Sequence, residues 1–98
     1  MTIELNKNNG DLLIALTGRL DSTTAGDLEE AFKAELNDSI RSLTVDLEKV
    51  DFISSKGLRV LVGAYKTLRG KDVILTGANT SVTELLRLSG LDKVFKIV

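Results

Sequence analysis

Three times along the chain, a short apolar run with strand character hands over to a segment whose apolar residues recur every three to four positions. DLLIALTG at 11–18 precedes Ala25, Leu28, Phe32 and Leu36. Leu43, Val45 and Leu47, alternating with polar residues, precede Leu58, Leu61, Val62, Tyr65 and Leu68. DVILTGA at 72–78 precedes Val82, Leu85 and Leu86. A period of two marks a strand and a period near 3.6 marks a helix. The order is therefore strand, helix, strand, helix, strand, helix, with KVFKIV at 93–98 as a last strand. Such crossovers join parallel strands and are almost always right-handed. The expected fold class is α/β, with a mixed, mostly parallel sheet of four or five strands and amphipathic helices. Residues 2–7 supply the antiparallel member, a polar edge strand that NNG at 8–10 folds back as a hairpin.

Local signals set the boundaries. Hydroxyls at Ser22–Thr24 offer a cap to the first helix, which ends near Asn37. The second helix is stopped by Gly70. SVTE at 81–84 fits a capping box opening the third, and Gly90 closes it. The unbroken apolar run at 11–18 reads as a strand covered on both faces.

Composition limits the chemistry. The 98 residues, 43% hydrophobic and 28% charged, suit one globular domain spanning residues 1–98, able to bury roughly 60–65% of its unfolded surface. Thirteen basic and fourteen acidic side chains leave a net charge of -1, so no nucleic-acid partner is expected. The longest strictly apolar run, Leu12–Leu16, is far short of a membrane span, and the N-terminus lacks the order of a signal peptide. The chain reads as soluble and cytoplasmic.

With no Cys and no His, there is no disulfide, no thiolate nucleophile, no imidazole base and no zinc site of the usual kind. A Ser55–Lys56 dyad is opposed by geometry, because adjacent helical residues point about 100° apart. TGAN at 76–79 has one glycine and no phosphate-binding lysine. No enzyme activity, cofactor or metal is expected.

What remains is a rim. GRLDS at 18–22 and DFISSKG at 51–57 are both strand-to-helix loops and should lie at the same end of the sheet. Ser54 and Ser55 sit where a helix begins, and one hydroxyl suffices to cap its free N–H groups. The other is left over at a helix N-terminus, where negative charge is favoured. Farther along that helix, Lys56, Arg59, Gly63 and Lys66 share one face, readable as a solvated back or as a basic surface meeting an acidic partner. Asp21 is readable as a cap or as a contact.

These residues carry a resemblance. LTGRLDSTTA at 16–25, DFISSKGLRVL at 51–61 and LLRLSGLDKVFKI at 85–97 resemble the STAS domain family, and within it the stand-alone bacterial anti-sigma factor antagonists. The resemblance implies a STAS-like fold over the whole chain. It also implies that Ser55, two positions before Gly57, is phosphorylated by an anti-sigma factor that is an ATP-dependent serine kinase. Asp21 matches an aspartate that contacts the kinase, and Ser54, Lys56, Gly57 and Arg59 fall on the partner-binding surface. The commonest loop pattern of the family is Asp-Ser-Ser/Thr-Gly-Leu. Here Ser54 stands in place of the aspartate and Lys56 in place of the second hydroxyl, so the charge beside the acceptor changes from negative to positive. Family members usually continue into one more helix after the last strand.

The implied mechanism is partner exchange in transcription regulation. Unphosphorylated protein binds the kinase and frees its sigma factor, phosphorylation of Ser55 ends binding, and a serine phosphatase acting on phospho-Ser55 resets the switch. Lys56 would soften it by screening the phosphate. The competing reading is a non-phosphorylated subunit or regulatory module of a membrane anion or lipid transport system, with Ser55 only a cap. A nucleotide-binding enzyme and a scaffold subunit of a larger assembly are further alternatives.

Overall fold

A computed structural model describes residues 1–98. β1 (Thr2–Asn8) and β2 (Asp11–Leu20) form an antiparallel hairpin. Asn9 and Gly10 make its two-residue turn at φ 53° and 101°, the conformation an Asn-Gly pair tolerates best. There follow α1 (Ala25–Glu35), β3 (Ser42–Ile53), α2 (Ser55–Leu68), β4 (Asp72–Thr76), α3 (Thr80–Leu88), a 3-10 turn at Leu91–Lys93 and β5 (Lys96–Ile97). The sheet order is β1-β2-β3-β4-β5, and every pair after the first is parallel. The mixed, mostly parallel five-stranded sheet is as the sequence led us to expect.

Each crossover steps to the adjacent strand in the same direction. With one hand throughout, all three helices stack on one face. Leu12, Ile14, Leu16, Leu43, Val45, Leu47, Val73 and Leu75 point to that face and are buried in a core of 22 residues. On the other face, Leu13 is 39% exposed, and Thr44, Asp46 and Ile74 are partly exposed. The expectation that β2 is covered on both faces is therefore corrected: the sequential strand order leaves no helix for the second face.

Helix details differ from the sequence reading for similar reasons. Along α2 the deepest residues are Gly57, Val60, Leu61, Ala64 and Leu68. Leu58, Val62 and Tyr65 form a half-buried shoulder, and Tyr65 meets Phe95 edge-to-face at 6.0 Å. The buried meridian is rotated because Gly57, having no side chain, lets the first turn settle on Leu20. Arg69, not Gly70, is the C-cap, in the left-handed conformation. The cap of α3 is Asn79, whose side chain accepts from the Val82 amide at 2.8 Å. Ser81 lies inside the helix, so the SVTE capping box does not form. β3 runs on through Asp51–Ile53, which the sequence reading placed in the loop, and β5 shrinks to two residues because 91–93 winds as a 3-10 turn.

Two helical glycines, Gly26 in the first turn of α1 and Gly63 in α2, have open space where a side chain would stand. Gly63, in the middle of α2, has no atom within 4 Å of where a Cβ would stand. A mid-helix glycine costs about 0.5–1 kcal/mol relative to alanine, and nothing in the fold offsets that here.

The one-sided cover predicts unequal costs for neighbouring leucines. Leu12→Ala should lose about 2–5 kcal/mol, whereas Leu13→Ala should stay within about 1 kcal/mol of the parent. Urea unfolding with matched slopes checks this, and similar losses at both positions would show that the second face is covered.

Candidate functional site

The site is the junction where β2 and β3 end side by side. Their register pairs Arg19 with Phe52 and Leu20 with Ile53. One step beyond the ladder, the Ser54 N–H donates to the Leu20 carbonyl at 2.8 Å. That bond holds Ser54 extended, at ψ 170°, and the next residue enters the helix.

Ser54 is therefore the cap. Its Oγ accepts from the Gly57 amide at 3.1 Å, and its carbonyl accepts from the Leu58 amide at 2.9 Å. Ser55 is the first helical residue and is exposed; its hydroxyl makes no hydrogen bond within the protein. Lys56 follows, exposed and unpaired, and no acidic residue occupies the first turn of α2. The positive end of this helix is thus uncompensated. Ser55 and Lys56 are not hydrogen-bonded to one another.

Gly57 is required by space rather than by backbone angle. A Cβ there would stand 2.8 Å from both Leu20 Cγ and the Leu20 carbonyl oxygen, and 3.1 Å from Ile53 Cγ2. Any side chain would push the start of α2 off the end of β2. The glycine thereby fixes how Ser54 and Ser55 stand relative to the first rim loop.

In that loop Asp21 is a cap. Its Oδ1 accepts from the amides of Thr23 and Thr24, each at 3.0 Å. The Asp21 N–H in turn donates to Thr24 Oγ1 at 3.0 Å, and the Thr24 hydroxyl donates to the Arg19 carbonyl at 2.6 Å. This reciprocal pair replaces the hydroxyl cap expected from Ser22–Thr24: Thr24 is already helical and makes no cap bond of its own. The Thr24 amide is the largest cause holding the Asp21 carboxyl below its ordinary pKa. Partial burial opposes it, and the Thr23 amide, the Thr24 hydroxyl and the Arg19 guanidinium reinforce it.

The sequence reading missed Arg19 and Phe52. The Arg19 guanidinium lies 4.5 Å from the centroid of the Phe52 ring and 3.9 Å from Asp21 Oδ2. Phe52 is 40% exposed. The pair forms an amphipathic ledge beside Asp21 on the same rim. Only the parallel register of β2 and β3, which aligns residues 33 positions apart, brings them together.

Arg59 is one turn beyond Ser55 on α2. With Lys56, Gly63 and Lys66 it is exposed, and none of the three cations is in an ion pair. Thus the structure gathers Asp21, Ser54, Ser55, Lys56 and Gly57 at the rim and sets Arg59 on the helix leading away from it. No cluster of three or more His, Cys, Asp or Glu side chains could hold a metal ion. No helix is long and apolar enough to cross a membrane.

Comparison with known proteins agrees with this architecture. The STAS domain family model matches residues 2–98, and the chain belongs to that family. The anti-sigma-F factor antagonist RsfB of Mycobacterium tuberculosis is 32% identical over 98 residues, which is 99% of this chain and 80% of RsfB. The crystal structure of an anti-sigma factor antagonist from Mycobacterium paratuberculosis superposes with a TM-score of 0.88 at 30% identity, covering 98% of this chain and 83% of the other. The fold is also that of the Bacillus cell fate determinant SpoIIAA, at TM-score 0.78 for both its unphosphorylated and its phosphorylated form; identities are 15% and 17%, coverage is 99% of this chain, and 87% and 91% of the two SpoIIAA chains are spanned.

The cap geometry has a pH signature. Because the folded-state pKa of Asp21 lies below its ordinary 3.8, the stability it contributes is complete above that value and is lost as pH falls through the lower folded-state value. Asp21→Asn keeps a capping oxygen but removes the charge. The wild type should melt higher than this variant at neutral pH, with the gap closing below about pH 4. A gap that stays constant through that range would rule out the carboxylate charge as its source.

Proposed function

We propose that this chain is an anti-sigma factor antagonist, a regulatory protein rather than an enzyme, whose binding is controlled at Ser55. The unphosphorylated rim docks on an anti-sigma factor that is also a serine kinase and frees the sigma factor it holds. Phosphorylation of Ser55 ends the complex, and a serine phosphatase restores it. The observation that carries this reading is the division of labour between the two serines: Ser54 alone caps α2, which leaves the Ser55 hydroxyl free and exposed. The names of the relatives above, at about 30% identity, support the same reading.

The physics of the switch is local. A phosphate adds a charge of about -1.5 to -2. Ser55 stands at the uncompensated positive end of α2, so the free protein accommodates that charge without rearranging. Docked against a partner surface with no matching cation, the same charge costs several kcal/mol. At about 1.4 kcal/mol per tenfold, affinity falls by hundreds or more.

The deciding experiment is intact mass after incubation with ATP and the kinase from the same cell, for wild type and Ser55→Ala. One added phosphate on wild type and none on the variant is expected. No phosphate on either, with a kinase active on its own substrate, would leave Ser55 a spare hydroxyl and move the assignment to a module of an anion or lipid transport system.

Lys56 has a separable effect. Its ammonium, adjacent in sequence to the phosphate, screens part of the new charge, so this switch is softer than one without a cation. Phosphorylated Lys56→Ala should bind the anti-sigma factor several-fold more weakly than phosphorylated wild type, as measured by calorimetric titration. Equal affinities would remove Lys56 from the mechanism.

A further inference from the structure

Between α1 and α2 lies an open groove of about 340 Å³. Its floor is apolar, made by Phe32 of α1, by Leu36 just past the end of that helix, and by Val60 and Ala64 of α2; Lys33 and Arg59 stand on its walls, with Glu29 on the α1 side. None of Lys33, Arg59 and Glu29 has an ion-pair partner within the chain, so the groove carries one net positive charge.

Gly63 opens this groove. It is a lining residue, it sits in the middle of a helix, and the space above it is empty. Alanine would suit the helix better and would touch nothing. The glycine therefore lowers stability and, within the isolated fold, gains nothing. Its effect is to let another backbone or a large side chain come close to α2.

The groove shares a helix ridge with the switch. Ser55, Arg59, Gly63 and Thr67 follow one another at intervals of four along α2, a single ridge of the helix. Gly63 is about 12 Å along the axis from Ser55. On the opposite wall, Glu29 to Leu36 spans about two turns.

We propose that this groove is a second docking site for the anti-sigma factor, filled by two turns of an amphipathic helix that lays apolar side chains on Phe32, Leu36, Val60 and Ala64 and sets carboxylates against Lys33 and Arg59. The proposal rests on the reading of the chain as an antagonist. The occupant is a helix because a shallow apolar floor between two helices, flanked by charge, receives a helix by its apolar face. It is acidic because the two cations of the groove outnumber its one carboxylate, Glu29, and neither is in an ion pair. Binding there brings the partner along the α2 ridge to Ser55, where a phosphate at the end of the ridge can oppose it.

The test is calorimetric titration with the purified anti-sigma factor that phosphorylates this chain. Gly63→Leu fills the groove from a position with empty space above it. Lys33→Glu reverses a wall charge on α1, a different helix from Ser55, at an exposed residue that makes no hydrogen bond or ion pair in the fold. Each should weaken binding at least tenfold, with unchanged far-ultraviolet circular dichroism and, for Gly63→Leu, a melting temperature no lower than wild type. Ser55→Glu reports on the rim. If it abolishes binding while Gly63→Leu and Lys33→Glu bind within twofold of wild type, the antagonist reading stands and the groove proposal fails. If wild type binds no anti-sigma factor, both fail. A wild-type dimer on a sizing column that Gly63→Leu abolishes would assign the groove to a second copy of the chain and overturn the proposal. Should Gly63→Leu fail to fold, Lys33→Glu decides alone by the same tenfold criterion.

Discussion

A single backbone hydrogen bond, from the Ser54 N–H to the Leu20 carbonyl, is the point on which the rim depends. It extends the β2–β3 ladder by one step into the loop and holds Ser54 extended. The helix must then start at Ser55, and the cap must come from Ser54. Gly57, packed against Leu20 and Ile53 with no room for a side chain, closes the same junction from the helix side. Together they set the spacing of two loops more than thirty residues apart in sequence. The β4–α3 loop braces the same region: Asn79 caps α3 and also donates to the Val50 carbonyl at 3.3 Å.

The sequential strand order decides what the rest of the surface can do. All helices lie on one face, so the opposite face of the sheet carries mostly polar side chains, such as Glu4, Asn6, Thr44 and Asp46, beside Leu13 and Ile74. The helix layer is thin. α1 and α2 lie side by side over the core without closing against each other near Gly63, and the groove between them runs toward the rim. The floor of that groove is part of the core: Phe32, Val60 and Ala64 are among its 22 residues, which form one continuous cluster.

Charge is distributed unevenly between the two helix starts. α1 begins with Asp21 locked into amide hydrogen bonds and has Asp27 in its first turn, so its positive end is already answered. α2 begins with two neutral hydroxyls and a lysine and has no acid in its first turn. The two starts are neighbours on the same rim, yet only the second can take up added negative charge without losing an existing partner. In the proposed switch, modification therefore alters how the surface appears to a partner while the fold beneath it stays as it is.

The order and type of nearly every element were determined by the sequence alone, because the change of apolar period from two to 3.6 and the Asn-Gly turn are local properties that need no distant residue. The location of the rim followed from the same pattern, since strand-to-helix loops of parallel strands share an end. Which serine caps α2 was decided only in three dimensions: either hydroxyl could do so, and the choice falls to the contact with Leu20. Asp21 displaced Ser22–Thr24, and Asn79 displaced Ser81, because a capping residue must be extended at the entry to the helix, and the approach of the chain from the sheet sets that point. The Arg19–Phe52 ledge depends on strand register. The uncovered face of β2 depends on strand order, which a run of apolar residues does not encode. Gly63 could be read from the sequence as a glycine on a basic helix face, but that it opens a groove required α1 to be in place beside it.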